Sequence, residues 1–187
     1  VDPAAVIQSI DVPSIYEVPL KMHQQHLDEI VLTKTGLPIN GEPHLEPWLN
    51  FLHRMKNATK TVRIGLVGKY VELPDAYKSI NESLFQAATY NDRKLDLQYI
   101  HSEKLNSGNV DAMLSSLDGV LIAPGFGQRG IEGKFIALKY AREHDIPTFG
   151  VCLGMQCMVI EYARDVLGYT DANSTEMDVT TKHNVID

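Results

Sequence analysis

Hydrophobic residues recur at two different spacings along the chain. Up to about residue 60 they follow a helical period and are interrupted by prolines, which predicts a mostly helical segment. Within it, residues 20–36 predict one helix that ends at a glycine, and residues 44–55 predict a second. The polar run 56–61 is typical of a linker between domains.

Beyond this run, short apolar stretches alternate with stretches of helical spacing. The apolar stretches predict strands at 62–67, 95–100, 119–124 and 146–151. Helical spacing predicts helices at 74–90, 110–117, 131–144 and 153–167. Strands that alternate with helices predict an α/β fold, in which helices cover both faces of a parallel sheet. Such sheets bind ligands at the carboxyl ends of their strands.

Charge and cysteine content narrow the function classes. The 187 residues contain 17 Lys and Arg against 24 Asp and Glu, a formal net charge of −7, which argues against a broad nucleic-acid surface. Two cysteines five residues apart predict neither a disulfide framework nor a zinc site, so no metal is expected. No apolar run approaches the ~20 residues that cross a bilayer, and the first residues do not resemble a signal peptide. We therefore expect a cytoplasmic location and no membrane partner.

The motif GVCLG, at 150–154, lies between a predicted strand and a predicted helix. A nucleophile on such a turn needs small neighbours, because the backbone there is tight. The turn would expose the thiol of Cys152 at a helix N-terminus, which favours the thiolate, and the N–H of Leu153 could stabilise an oxyanion. The spacing alone also allows a buried cysteine in an ordinary strand-to-helix turn. Cys157, one helical turn further on, is predicted to be a core residue.

A second glycine-rich loop, PGFGQRG at 124–130, follows another predicted strand. Its three glycines would let backbone N–H groups approach a ligand, and Gly125 could complete an oxyanion hole. The loop lacks the Gly-Lys-Ser/Thr ending of a Walker phosphate loop. Taken alone it could equally be a flexible turn, but both glycine-rich loops fall at the same edge of the predicted sheet.

Two further segments carry charged candidates. In GKYVELPDAYKS, at 68–79, Lys69 and Lys78 could bind anions, although a solvated helix start is the plainer interpretation. In ANSTE, at 172–176, Glu176 could hold a substrate ammonium group, although an ordinary surface carboxylate fits the composition.

These motifs, in this order, resemble those of the CTP synthase family. GKYVELPDAYKS, PGFGQRGIEGK, IPTFGVCLGMQ and ANSTE resemble its C-terminal glutaminase domain, a class I glutamine amidotransferase with a flavodoxin-like parallel sheet. The earlier stretch DVPSIYEVPLKMHQQHLDEIV resembles the end of the family's amidoligase domain. The resemblance therefore implies an amidoligase end at 1–55, a linker at 56–61 and a glutamine amidotransferase domain at 62–187.

The resemblance also implies a site. Cys152 would attack the glutamine amide and form a thioester, with oxyanion N–H groups from Gly125 and Leu153. The family's glutamine-binding positions fall on Leu153, Gly154, Met155, Gln156 and Glu176. Looser matches to its nucleotide contacts fall on Ile10, Asp11 and Val12 for ATP and on Lys78 and Arg129 for GTP.

For the complete enzymes of the family, the resemblance implies amination of UTP to CTP. The reaction uses ATP with Mg²⁺ and ammonia from L-glutamine, GTP activates it, and the enzyme is a homotetramer. No cofactor is expected within this chain itself.

The chain departs from the family pattern at two places. Pro124 stands where many members carry a glycine, which bears on the freedom of that peptide to flip. The His-x-Glu motif that supplies the base is absent, since the only histidine after Cys152 is His183, followed by Asn-Val-Ile. We therefore expect a fragment that ends before the base and turns over no glutamine alone. Two alternatives stay open: another enzyme with an elbow cysteine, such as a hydrolase or a redox sensor, and a degenerate domain with a role in assembly or regulation.

Overall fold

The structure is a computed structural model that describes residues 2–73 and 75–187 of the chain. Its internal contacts divide the chain into two compact units, with the boundary between Asn57 and Ala58. In the described part of the chain, no helix is both long enough and apolar enough to cross a membrane.

The first unit is helical, and its α-helices are α1 at Val18–His23, α2 at Leu27–Thr35 and α3 at Glu46–Asn57. The prediction of a single helix over 20–36 is wrong. His26 has a left-handed backbone conformation, with φ at 58°, that a right-handed helix cannot contain. The apolar spacing continues across this break, so the pattern alone does not reveal it. The predicted stop at Gly36 is confirmed, with a φ of 70° after the last turn of α2.

Aromatic side chains connect α3 to the start of the first unit. The rings of Tyr16, Trp48 and Phe51 have their centroids between 5.2 and 5.9 Å apart. The indole N–H of Trp48 also donates to the carbonyl oxygen of Tyr16 at 2.9 Å. These contacts place α3 against the turn that precedes α1.

The linker predicted at 56–61 is shorter in the structure. α3 continues to Asn57, and the first strand, β1, begins at Lys60. Only Ala58 and Thr59 therefore lie between α3 and β1. The polar side chains of residues 56–61 are also compatible with a helix end and an exposed strand start, so the pattern did not reveal these bounds.

The second unit alternates strands with helices. The strands are β1 at Lys60–Gly68, β2 at Arg93–His101, β3 at Gly119–Ile122 and β4 at Thr148–Gly150. The helices are α4 at Lys78–Tyr90, α5 at Val110–Leu114, α6 at Ile131–Glu143 and α7 at Leu153–Asp165. All neighbouring strands are parallel, in the order β2-β1-β3-β4. The predicted α/β fold is confirmed, with β2 and β4 as the edge strands of the sheet.

Helices cover both faces of this sheet. Leu66 of β1 packs on one face in a cluster that includes Leu84 of α4. Its neighbour Val67 packs on the opposite face with Leu114 of α5 and Leu138 of α6. Because the strands are parallel, the loops that follow β1, β3 and β4 all leave the sheet at the carboxyl ends of its strands.

Two details differ from the sequence-based prediction. α4 begins at Lys78 instead of residue 74, and Pro74, the predicted helix start, lies outside the described residues. In addition, β5 at Asn173–Ser174 pairs in parallel with β6 at Asn184–Ile186 in a separate two-stranded sheet. Strands of two and three residues are too short to produce a periodic hydrophobic pattern, so the sequence analysis did not predict them.

Candidate active site

Cys152 lies on the sharp turn between β4 and α7. Its backbone angles, φ 52° and ψ −113°, are rare for a residue with a side chain, and the residue is exposed. α7 begins at the next residue, which places the thiol at the N-terminal end of a 13-residue helix. An exposed, strained position at a helix N-terminus is suited to a nucleophile, because the helix dipole favours a negative charge there.

Packing explains the two glycines that flank this turn. A Cβ at position 150 would lie 2.6 Å from backbone atoms of Gly154 and Met155. A Cβ at position 154 would overlap the carbonyl oxygen of Ile122, the last residue of β3. The turn therefore needs glycine at both positions, because the backbone of α7 lies directly against the end of the sheet.

Gly125 lies beside Leu153, as the oxyanion hypothesis requires. A Cβ at position 125 would lie 3.7 Å from Cδ2 of Leu153. Within residues 2–73 and 75–187, neither the N–H of Gly125 nor that of Leu153 donates a hydrogen bond. Free backbone N–H groups beside an exposed thiol are what the stabilisation of an oxyanion needs.

Two lysines bind carbonyl groups within and just before the loop 124–130. The ammonium group of Lys69 donates to the carbonyl oxygen of Phe126. The ammonium group of Lys134 donates to the carbonyl oxygen of Ala123 at 2.7 Å. The sequence analysis singled out Lys69, but as an anion ligand, and it missed Lys134, because a lysine in a helix is normally expected at the surface.

Glu176 lies at the tip of a tight turn that follows β5. The carbonyl oxygen of Ser174 accepts hydrogen bonds from the N–H groups of Met177 at 3.2 Å and Asp178 at 2.9 Å, which closes the turn and leaves Glu176 exposed. The side-chain amide of Gln128 donates to the carbonyl oxygen of Met177 at 3.1 Å. The structure thus joins the turn of Glu176 to the loop of Gly125.

The expected glutamine-binding positions of α7 differ in exposure. Leu153 and Gly154 are buried, Met155 is exposed and Gln156 is partly buried. The side-chain oxygen Oε1 of Gln156 is buried, and in the described part of the chain it has no hydrogen-bond partner. Such an oxygen costs free energy unless a ligand donates to it. Gln156 therefore offers an unpaired acceptor in the first turns of α7.

Cys157 lies in the core, as predicted. It is fully buried, and burial raises the pKa of its thiol from 9.0 to about 11, with the positive charge of Lys134 acting in the opposite direction. The thiol is therefore protonated at neutral pH and unsuited to nucleophilic attack. Cys152, which precedes α7, and Cys157, within it, thus have opposite environments.

The remaining candidate residues are divided between the two units. Residues 10–12 lie in the first unit, in a segment without helix or strand. In the second unit, Lys78 is exposed at the first residue of α4. Arg129 contacts Glu103 at 3.4 Å, and its guanidinium lies 5.7 Å from the ring centroid of Tyr70. The nucleotide-binding roles of these residues stay predictions.

His183 is committed to contacts away from the thiol. Its ring pairs with the carboxylate of Asp171 and stacks on Tyr169, with ring centroids 4.5 Å apart. Among the described residues, no hydrogen bond joins His183 to Cys152. These contacts give His183 no part in activating the thiol.

Comparison with protein families identifies the class. Residues 72–186 match the family model "Glutamine amidotransferase class-I", a stretch that contains Gly125, Cys152 and Glu176. The chain therefore belongs to the class-I glutamine amidotransferases.

Within this class, the similar proteins are CTP synthases, as the motifs indicated. The CTP synthase of Bacteroides fragilis is 67% identical over 183 residues, which are 98% of this chain and 34% of that protein. The CTP synthase of Porphyromonas gingivalis is 61% identical over 187 residues, 100% of this chain and 35% of that protein. The chain spans about a third of the length of these curated relatives.

A solved structure agrees in both fold and sequence. The glutaminase domain of Trypanosoma brucei CTPS, solved with bound acivicin, aligns with a TM-score of 0.61 and 42% identity. The alignment covers 67% of this chain and 49% of that one. It supports the assignment of the second unit to the glutaminase fold.

Proposed function

We propose that this chain carries the nucleophile for the glutamine-hydrolysing step of a CTP synthase. The observation that carries the proposal is the geometry around Cys152: an exposed thiol on a strained turn, next to the free N–H of Leu153 and with Gly125 packed beside Leu153. The high identity to CTP synthases supports glutamine as the substrate. Acivicin bound to the related glutaminase domain supports a ligand site in this part of the fold.

The proposed reaction proceeds through a thioester. The sulfur of Cys152 attacks the side-chain amide carbon of glutamine, and the amide oxygen takes the negative charge. The N–H groups of Gly125 and Leu153 donate to this oxygen. The C–N bond then breaks and ammonia leaves. Water hydrolyses the thioester to glutamate, which restores the thiol.

The substrate is held by acceptors at the start of α7 and at the turn after β5. The buried oxygen of Gln156 and the carboxylate of Glu176 offer acceptors to the α-ammonium group of glutamine. Leu153, Gly154 and Met155 are the other proposed glutamine-binding positions of α7. Substrate binding would supply the missing hydrogen bond of Gln156.

The base that takes the thiol proton and delivers a proton to the leaving nitrogen is proposed to lie beyond these 187 residues. His183 is held by Asp171, and the sequence has no other histidine after Cys152. We therefore expect that this chain alone does not turn over glutamine.

The ammonia is proposed to aminate UTP to CTP with ATP, in a homotetrameric cytoplasmic enzyme that GTP activates. Residues 10–12 are the proposed contacts of ATP, and Lys78 and Arg129 those of GTP. Among residues 2–73 and 75–187, no three His, Cys, Asp or Glu side chains come together as metal ligands. No step described here uses the Mg²⁺ that accompanies ATP.

The experiment compares two nitrogen sources in the full-length enzyme that carries this sequence. Cys152→Ala is expected to lower glutamine-dependent CTP formation by at least about 10³-fold, because it removes the nucleophile. CTP formation from ammonium chloride should stay within about twofold, because that route bypasses the thioester. Cys157→Ala, at the buried cysteine of the same helix, is the matched control and should retain both activities.

The outcomes separate chemistry from folding. Glutamine-dependent activity that survives Cys152→Ala would overturn the proposal. Loss of both the glutamine-dependent and the ammonium-dependent activity would mean that the substitution disrupts the fold. For the chain alone, steady release of ammonia from glutamine that Cys152→Ala abolishes would contradict the placement of the base elsewhere. An antibody raised against this chain should detect a native protein well above 20.9 kDa.

A further inference from the structure

Lys134 is a buried cation next to the candidate active site. It lies in the second turn of α6 and is only 2% exposed. Its ammonium group donates to the carbonyl oxygen of Ala123 at 2.7 Å. In the part of the chain that the structure describes, no carboxylate pairs with this ammonium group. A lysine is rarely buried in this way, and a buried charge without an ionic partner is costly.

The ammonium group of Lys134 also lies close to Gly125. Ala123 and Pro124 link the end of β3 to Gly125, and a Cβ at position 125 would lie 3.9 Å from Nζ of Lys134. Pro124 has no N–H, so the segment before Gly125 has one hydrogen-bond donor fewer with which to fix itself. Ala123 is held on both sides, because its N–H donates to the carbonyl oxygen of Val67 at 2.9 Å and its carbonyl oxygen accepts from Lys134.

A second lysine holds the other side of Gly125. Lys69 follows β1 and donates to the carbonyl oxygen of Phe126, and its Cε would lie 3.7 Å from a Cβ at position 125. Lys69 reaches the loop from the exposed side, whereas Lys134 reaches it from inside the domain. Together the two ammonium groups bind the carbonyl groups of Ala123 and Phe126, which lie on either side of Gly125 in the sequence.

Stability alone does not explain an amine at position 134. Burial lowers the pKa of the Lys134 ammonium group, and the nearby charge of Lys69 lowers it further, whereas Cys157 and Cys152 act in the opposite direction. An apolar side chain of similar length would avoid the cost of burying this charge.

We propose that Lys134 is a positioning residue for glutamine hydrolysis: its ammonium group holds the Ala123 carbonyl and thereby keeps the Gly125 N–H directed at the oxyanion. This inference rests on the function proposed above for Cys152. Preorganised donors are effective because they need no rearrangement when the negative charge develops, and a displacement of about 1 Å can cost a factor of about 10² in rate. Lys134 acts through Gly125 and does not itself touch the substrate.

The test replaces Lys134 with methionine in the full-length enzyme. Lys134→Met keeps the length of the side chain and removes the donor. It is expected to lower kcat for glutamine hydrolysis by about 10- to 100-fold, with KM within about threefold, because the oxyanion forms only after substrate is bound. Lys139→Met is the matched control, since Lys139 lies on the same helix and is exposed. It should leave kcat and KM unchanged.

A second measurement distinguishes positioning from a general loss of structure. Iodoacetamide alkylates a thiolate without forming an oxyanion, so its rate at Cys152 should not depend on the Gly125 N–H. The alkylation rate of Cys152 is read by peptide mass spectrometry at a pH high enough that the rate no longer rises with pH. Under these conditions we expect the rate in Lys134→Met to stay within about twofold of the wild type. Lys134→Arg restores a charged donor and should recover part of the lost kcat.

Each outcome decides between the hypotheses. A kcat for Lys134→Met within threefold of the wild type would overturn the positioning role, and so would an equal loss of glutaminase and alkylation rates. If the methionine variant does not fold, Lys134→Arg and Lys134→Gln take its place, and equal kcat values for these two would contradict a need for the charged donor. A wild-type enzyme whose glutaminase does not depend on Cys152 would instead refute the proposed function itself.

Discussion

Gly154, in the first turn of α7, lies directly against the carbonyl group of Ile122 at the end of β3. A Cβ at position 154 would lie 2.9 Å from the carbonyl carbon of Ile122 and closer still to its oxygen. The same carbonyl accepts a hydrogen bond from the N–H of Val151 at 3.1 Å. The carbonyl group of Ile122 cannot move away from a new methyl group without straining this hydrogen bond. The position of the turn that carries Cys152 therefore depends on the absence of a side chain at position 154.

Gly154→Ala is therefore expected to lower the free energy of unfolding by about 2–4 kcal/mol, because helix and strand must separate to admit the methyl group. Chemical denaturation of the second unit in the full-length enzyme measures the effect. Gly125→Ala is the matched comparison, since a Cβ there meets no atom closer than 3.7 Å. It should cost less than about 1 kcal/mol. Equal losses of stability in the two variants would contradict the packing argument.

Cys152 and Cys157 are predicted to differ in reactivity. Burial raises the pKa of Cys157 to about 11, so at pH 8 its thiolate population is about 10²-fold below that of a thiol with the ordinary value of 9.0. Iodoacetamide at pH 8 should therefore alkylate Cys152 in the native protein and reach Cys157 only after denaturation. Peptide mass spectrometry distinguishes the two sites. Comparable native labelling of Cys157 would show that its surroundings open readily.

The same pKa shift predicts a pH dependence of stability. The folded state holds the proton of Cys157 up to about pH 11, whereas the unfolded state releases it near pH 9. The stabilisation is complete below pH 9 and is lost as the pH rises through 11, so the free energy of unfolding should fall across this range. Cys157→Ala should make the free energy of unfolding depend less on pH between 9 and 11. An unchanged slope in that variant would mean that other groups cause the pH dependence.

Arg142 and Glu161 connect α6 and α7 through a partly buried ion pair. The guanidinium donates to both carboxylate oxygens over 2.7 to 3.2 Å, and Glu161 is 5% exposed. Arg142→Met should lower the free energy of unfolding by about 1–3 kcal/mol, because it leaves a buried carboxylate unpaired.

The same two helices provide a matched control for this pair. Lys139 and Asp165 form an ion pair at 3.0 Å on the exposed side. Lys139→Met should change thermal stability little, since solvent screens an exposed pair. A larger loss of stability in Lys139→Met than in Arg142→Met would contradict the argument that burial makes the Arg142–Glu161 pair the more important of the two.

Gln156 is predicted to affect substrate binding more than chemistry. Gln156→Leu removes the buried oxygen that lacks a partner and should raise KM for glutamine by about 10- to 100-fold, with kcat changed less than about threefold. Gln156→Glu keeps an oxygen acceptor at the same position and should bind more tightly than the leucine variant. Equal KM values in the two variants would mean that the oxygen does not contact the substrate.

Much of the fold of the second unit follows from the hydrophobic pattern. β1, β3, α6 and α7 were predicted within a few residues of their observed bounds, because each buries a continuous or periodic apolar surface. The break at His26 and the short pair β5–β6 were missed, since a single left-handed residue and strands of two or three residues leave no periodic signal.

The candidate site was only partly visible in the sequence. Glycine spacing pointed to the turns of Cys152 and Gly125, because tight backbone contacts restrict which residues fit there. The buried oxygen of Gln156 and the burial of Lys134 depend on contacts between distant segments. A charged residue in a helix gives no local sign that its ammonium group faces inward.

The strand order also has a consequence for synthesis on the ribosome. β1 lies at the centre of the sheet although it is made first, and the edge strand β4 is completed 82 residues later, from position 68 to position 150. At about 5–20 residues per second, this interval lasts roughly 4–16 s. The nascent polypeptide therefore exposes the apolar strand β1 to chaperones before its partners exist, and it acquires the exposed thiol of Cys152 only after the strands of this sheet have been translated.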